Sequence, residues 1–278
     1  MLKYFKIFTL LSFLTFISHA NAKPVPPGAG DGDVAANILF LIDSSASMSR
    51  WIGGDGLGSV SGAVYDSQDR IVIGQSHRRS RGGLIRYTAA GARDPDFMPV
   101  RNVSSNGCTV ELENNSRTIA NQRVRRVAQL KYLEGLTTNN NVIQNQNIIF
   151  AAGRDRGTRE FILGFSDDGT DCLFAIKAPN GYSSGDFDIK TVSINGTDTP
   201  VLFMAGGRFG RRTDSYFQSC NLLTLLCETQ LHTGNHITRQ LARLSVNNDG
   251  SNIYFSNNNT GELIGHSISP TGNAFELG

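Results

Sequence analysis

Four short apolar stretches, each followed by a polar loop and a second strand-like stretch, recur along the chain: "RIVIGQSHRRSRGGLIRY", "NIIFAAGRDRGTREFILGF", "PVLFMAGGRFGRRTDSYFQ" and "NIYFSNNNTGELIGHSI". Their strands start at Ile71, Ile148, Val201 and Ile253, giving spacings of 77, 53 and 52 residues. Several are preceded by another alternating run, such as "GAVYDSQ", "FDIKTVSIN" or "QLARLSVNN". Several are followed by a turn and a last strand, as in "SDDGTDCLFAI" and "SPTGNAFELG". A unit of about four antiparallel strands with a period near fifty is what a propeller blade requires. One such sheet cannot bury both faces alone, so neighbours must stack. The fold class expected is therefore all-β, a β-propeller of about four recognisable blades over residues 56–278. Four blades are few for a closed ring. Glycine, 30 of 278 residues, exceeds the usual ~7% and supplies the turns this architecture needs.

Segment 98–126 fits the repeat poorly. Within "SRTIANQRVRRVAQLKYLEG", Ala120, Val124 and Val127 have helical spacing, but the repeat register makes "VAQLKYLE" the outgoing strand of the second unit. The repeat is the stronger constraint, and helix signals are scarce elsewhere.

The amino terminus sets the compartment. "MLKYFKIFTLLSFLTFISHANA" places Lys3 and Lys6 before an apolar run from Ile7 to Ile17, then a small-x-small site at Ala20-Asn21-Ala22. That is the pattern of a secretory signal peptide over 1–22. The run is shorter than the ~20 residues that span a bilayer, and no later segment approaches that length, so no stable membrane span is expected. The expected location is outside the cytoplasm: periplasmic, cell-surface or extracellular. Removing the leader removes two lysines and no acid, so the formal charge of +2 falls to zero, and overall charge names no partner. "KPVPPGAGDGD" then reads as a Pro/Gly-rich linker over 23–36.

Four cysteines, Cys108, Cys172, Cys220 and Cys227, suggest two disulfides in an oxidising compartment. Cys220 and Cys227 flank "NLLTLL" and could clip a hairpin, leaving Cys108 with Cys172. Three pairings are formally open, and spacing alone does not choose among them.

Two resemblances follow from particular residues. The first unit ends in "RYTAAGARDPDF", where Arg86, Tyr87, Gly91, Asp94 and Phe97 resemble the RYxxxGxxDxxF ending of a bacterial extracellular propeller repeat. That resemblance implies fold, not activity. Upstream, "NILFLIDSSASMS" is a continuous apolar strand of the kind found inside a parallel sheet, followed by Asp43, Ser45 and Ser47 in DxSxS spacing. One carboxylate and two hydroxyls are hard oxygen donors suited to Mg²⁺. The stretch, placed at 37–55, resembles the metal-ion-dependent adhesion site of von Willebrand factor type A domains. That family's domain also needs a Thr and an Asp on later loops and a series of helices and strands, whereas this chain passes straight into propeller units. Thr213-Asp214 has the right residue types, but it sits between strands of the third unit. "NILF" also matches "NIIF" and "NIYF", so the run could be a blade strand, but Ile71 follows Ile38 by only 33 residues, which leaves room for half a blade and favours the type A reading.

A type A strand followed by a propeller is similar in plan to type IV pilus tip adhesins and pilus-biogenesis proteins. The resemblance implies surface attachment or pilus function, Mg²⁺ at the DxSxS loop, and other surface or pilus proteins as partners. The alternative is a periplasmic or secreted propeller scaffold with no functional metal site.

Independently, the loop between the paired strands is basic in three units: Arg78, Arg79 and Arg81; Arg154, Arg156 and Arg159; Arg208, Arg211 and Arg212. Equivalent loops lie on one end of a propeller, so these arginines are candidates for an anionic surface polymer, with nucleic acid a less supported ligand. Solvated hairpin tips neutralised by Asp155, Glu160 and Asp214 explain the same residues. Catalysis finds little support: "GYSSG" matches GxSxG, but "DFDIKTVSI" follows as a strand where a nucleophile elbow needs a helix. His232 and His236 flank a glycine, which suits a turn. "SDDGTD" and "NNDGSN" could offer oxygens to Ca²⁺, yet hairpin turns explain them more simply. No enzyme is expected.

Overall fold

The computed structural model describes residues 59–76, 83–97, 108, 110–112, 126–154, 160–179, 182–208, 214–233, 241–257, 262–271 and 274–277. The leader, the linker and the strand and loop at 37–55 lie outside the described residues. Among the described residues every regular element is a β-strand, and no helix is long and apolar enough to cross a membrane.

The strands fall into four successive meanders. The first is β1 (Ser59–Tyr65), β2 (Ile71–Ser76) and β3 (Gly83–Tyr87), after which comes the short β4 (Val110–Leu112). The second is β5 (Arg126–Leu136), β6 (Gln146–Arg154), β7 (Glu160–Ser166) and β8 (Cys172–Lys177). The third is β9 (Tyr182–Ile194), β10 (Thr197–Arg208), β11 (Asp214–Asn221) and β12 (Leu226–Thr233). The fourth is β13 (Leu241–Val246), β14 (Asn252–Asn257), β15 (Leu263–Thr271) and β16 (Ala274–Leu277). Within each meander neighbours in sequence pair antiparallel. The four apolar repeats of the sequence are the second strands, β2, β6, β10 and β14.

Three features depart from the simple repeat. The first two meanders join into one eight-stranded sheet, Ser76 of β2 pairing antiparallel with Arg126 of β5. "VAQLKYLE" is a strand, as the repeat register requires, and it opens the second meander rather than closing it. β4 does not add a fourth strand to the first meander; it pairs parallel with β8, Val110 opposite Phe174. The Cys108–Cys172 disulfide continues that same offset two residues upstream, with Cα atoms 4.4 Å apart. The other bridge, Cys220–Cys227, joins directly opposed residues of the β11–β12 hairpin. Of the three pairings the sequence left open, the structure takes the one with the Cys220–Cys227 hairpin clip, and two disulfides fit an exported chain.

Side chains alternate across a strand, and here both faces are used. On β6, Ile148, Phe150 and Ala152 pack into a core with Phe187, Leu202, Met204 and Tyr216 of the third meander. Ile149 and Ala151 of the same strand turn the other way, onto Val72, Leu84 and Phe97 of the first. β10 repeats the device: Leu202 and Met204 face the second meander, while Val201, Phe203 and Ala205 pack on Leu244, Ile253, Phe255 and Phe275 of the fourth. Sheets buried on both faces need continuous apolar strands, which is why "NIIFAA" and "VLFMA" lack polar alternation.

Candidate functional site

The "RYTAAGARDPDF" ending folds into a small reversal. Thr88 and Ala92 pair through N–H of Thr88 on the Ala92 carbonyl at 2.7 Å, and Gly91 N–H closes onto Thr88 O at 2.8 Å. Gly91 has φ +80°, a left-handed conformation that glycine adopts without a Cβ penalty. The reversal brings Asp94 back beside Arg86, whose Nε donates to Asp94 Oδ2 at 2.7 Å. The Arg86 guanidinium also lies 4.8 Å above the centroid of the buried Phe97 ring. Four of the five motif residues, Arg86, Gly91, Asp94 and Phe97, thus serve one joint.

That joint reaches into the second meander. Asp66, at the β1–β2 turn, accepts from Arg70 Nε at 2.6 Å, and Arg70 Nη2 donates to Asp167 Oδ2 of the β7–β8 turn at 2.8 Å. Arg86 Nη1 donates to the Asp167 carbonyl at 2.5 Å, and the Tyr132 hydroxyl of β5 lies 3.3 Å from Asp167 Oδ1. Burial pushes the Asp94 carboxyl upward, but the Asp96 N–H and the Arg86 and Arg70 charges outweigh it and hold it below its ordinary value. These ions satisfy one another. The arrangement is a structural clasp between the first and second meanders.

The first strands of successive meanders neighbour one another and are mortised by side chains that take the place of a strand partner. Gln129 of β5 donates from Nε2 to Phe187 O of β9 at 2.9 Å and accepts from Phe187 N–H at 3.4 Å. One meander further on, Asp186 and Asp188 of β9 accept from the N–H groups of Leu244 and Val246 of β13 at 2.6 and 3.0 Å. Lys131 Nζ reaches Asp188 Oδ1 at 2.6 Å. Residue numbers increase together across each contact, so these strands run parallel side by side. Asp186 is nearly inaccessible. Its carboxyl is pushed up to about 6 by burial, against the pull of the Leu244 and Phe187 N–H groups and of Arg243 and Lys131. The sequence reading missed this pair; the only signal was "DFDIK", where acids alternate with apolar residues inside a strand.

The sequence-predicted groups distribute as follows. Asp43, Ser45 and Ser47 lie outside the described residues, as do Arg78, Arg79, Arg81, Arg156, Arg159, Arg211 and Arg212. Arg154 ends β6 opposite Glu160, and Arg208 ends β10 opposite Tyr182. The basic runs therefore connect the second and third strands in three successive meanders. Ser183 of "GYSSG" is inside β9, opposite Gly207, so it occupies an extended strand. His232 is in β12 opposite Ser215, and His236 is outside the described residues. The "SDDGTD" turn is closed on itself: Asp168 Oδ1 accepts from the Ser166 hydroxyl and from the Thr170 N–H and hydroxyl. "NNDGSN" is closed likewise through Asp249 and Ser251. Among the described residues no group of three or more His, Cys, Asp or Glu side chains is arranged for a metal.

One open cleft of about 330 Å³ lies between the β5–β6 connection and the β7–β8 turn, lined by Asn141, Val142, Gln144, Gln146, Asp171 and Leu173 among others. No protein-family model matches the chain, and no curated protein does so.

Proposed function

We propose that the chain is an exported surface or pilus-associated adhesion protein in which a β-propeller serves as the binding platform. The observation that carries this reading is the packing of four successive meanders. The first strands of the last three lie parallel and side by side, and successive meanders pack through apolar layers, as consecutive propeller blades must. Two disulfides support an extracytoplasmic location. The clasp and mortises commit Asp66, Arg86, Asp94, Asp186 and Asp188 to joining meanders, which favours a rigid binding scaffold over an enzyme.

The DxSxS loop supplies the metal side of the proposal. Asp43, Ser45 and Ser47 offer one carboxylate and two hydroxyls, a donor set that suits Mg²⁺ with its retained waters. Bound there, the ion would offer an open position to a partner's carboxylate. Other surface or pilus proteins are the proposed partners, with an anionic surface polymer at the basic hairpin connections.

Surface attachment of cells carrying the wild-type chain or Asp43→Ala, measured with Mg²⁺ and with chelator, tests this. Attachment should fall in chelator and in the variant alike. Attachment indifferent to both would leave the alternative, a propeller scaffold without a functional metal site.

A further inference from the structure

We infer that the cleft between the β5–β6 connection and the β7–β8 turn is a binding site for a neutral saccharide. This deepens the adhesion reading by naming a ligand class, and it rests on that reading only for where such a ligand would be met.

Seven of the nine residues from Asn139 to Asn147 carry side-chain amides. Some have structural duties: Asn140 Oδ1 accepts from Val142 N–H at 3.3 Å, and Asn147 Oδ1 accepts from Gly135 N–H at 2.9 Å. The connection is held in one shape. Thr138 N–H donates to Ile143 O, Ile143 N–H to Thr138 Oγ1, and Asn145 N–H to Thr137 Oγ1. Asn139 N–H reaches the Leu223 carbonyl in the third meander at 2.8 Å. Ile143 and Thr138 are buried beneath the loop, and Asn141 and Asn145 adopt φ of +56° and +45°, a region asparagine tolerates better than most residues.

What remains on the rim has no such duty. Among the described residues no side-chain hydrogen bond occupies Asn141 or Gln146, and Gln144 makes one long contact, from Nε2 to Asn141 O at 3.5 Å. Each amide presents a donor and an acceptor side by side, the complement of neighbouring hydroxyls on a sugar ring. The Asp171 carboxylate adds a strong acceptor, and Val142 and Leu173 give an apolar surface for ring C–H groups. The lining has one carboxylate and no cationic side chain, which disfavours an anionic ligand. A loop fixed before binding loses little entropy on binding.

The test is titration of the full chain with methyl glycosides of glucose, galactose and mannose and with their neutral oligomers. Saturation-transfer NMR and calorimetry would be the readouts. Dissociation constants on the order of 1 mM are expected for single sugars. The double variant Gln144→Ala/Gln146→Ala should bind roughly tenfold more weakly or worse, given about 1 kcal/mol per lost hydrogen bond. Both positions are exposed, so its thermal melting should match wild type. Asp171→Asn, which keeps the shape, should weaken binding less. Chelator should leave glycoside binding unchanged, so failure here is separable from failure of the Mg²⁺ reading. Three results each overturn the inference: no saturable binding of any neutral sugar at tens of millimolar, undiminished binding by the double variant, or binding confined to a sulfated polymer such as dextran sulfate.

Discussion

Replacing Asp186 by Asn should change stability by an amount that depends on pH, with a sign set by burial. Asp186 is 3% exposed, and burial pushes its carboxyl up to about 6 from its ordinary 3.8. In the unfolded chain it returns to the ordinary carboxylate range near 3.9. Between about pH 4 and 6 the folded protein therefore binds a proton that the unfolded chain does not. The stabilisation from this proton is complete below the unfolded pKa and is lost as pH rises through 6. Two pH units at about 1.4 kcal/mol each give a full span of about 3 kcal/mol, of which about 2 kcal/mol is present at pH 4.5. Asn cannot take up the proton, so it lacks this term at every pH. Urea denaturation of wild type and Asp186→Asn at pH 4.5 and 7.5 isolates the effect, because groups common to both proteins cancel. The variant should be worse relative to wild type at pH 4.5 than at pH 7.5, by about 2 kcal/mol. Equal differences at the two pH values, or a larger loss at pH 7.5, would refute the argument that burial outweighs the Leu244 N–H and the nearby cations.

The clasp and the disulfides give two further expectations. Arg86→Ala takes from the buried Asp94 its nearest cation, leaving only Arg70 at 3.6 Å, and removes the cation over Phe97, so it should cost about 3 kcal/mol in chemical denaturation; a loss under about 1 kcal/mol would mean that Arg70 and water carry the joint. Removing the Cys108–Cys172 bridge, with its sequence separation of 64, should cost about 4 kcal/mol by chain entropy, against about 2 kcal/mol for the Cys220–Cys227 bridge, separated by 7. Double Cys→Ser variants compared by urea melts check this ranking, which reverses if strain or residual unfolded structure dominates.

Much of the all-β reading was legible because it rests on local patterns. Runs such as "NIIFAA" and "VLFMA" are short, apolar and bounded by turn residues, which suits strands buried on both faces, and Asp-Gly turns such as 168–169 and 249–250 mark where strands reverse. The RYxxxGxxDxxF ending was legible as a spelling; only its folded geometry shows why the spelling matters. Gly91 permits the reversal, the reversal delivers Asp94, and Asp94 with Phe97 holds Arg86. The cleft was not legible, because "NNNVIQNQN" looks like an ordinary polar loop until Ile143 is seen pinned beneath it and the "SDDGTD" turn is found across from it.

The sequence by itself determined the strands, their order within each meander and the set of cysteines, because strand periodicity and turn chemistry act between residues close along the chain. The tertiary structure decided what those strands meet. It chose the Cys108–Cys172 and Cys220–Cys227 pairings, sent β4 to the edge of β8, joined Asp167 to arginines some eighty to a hundred residues away, and set Asp186 against the backbone of β13. Each depends on how one sheet registers on another. Register is fixed by the summed fit of whole apolar faces and by the cost of leaving a buried charge unpaired, quantities that no short stretch of residues contains.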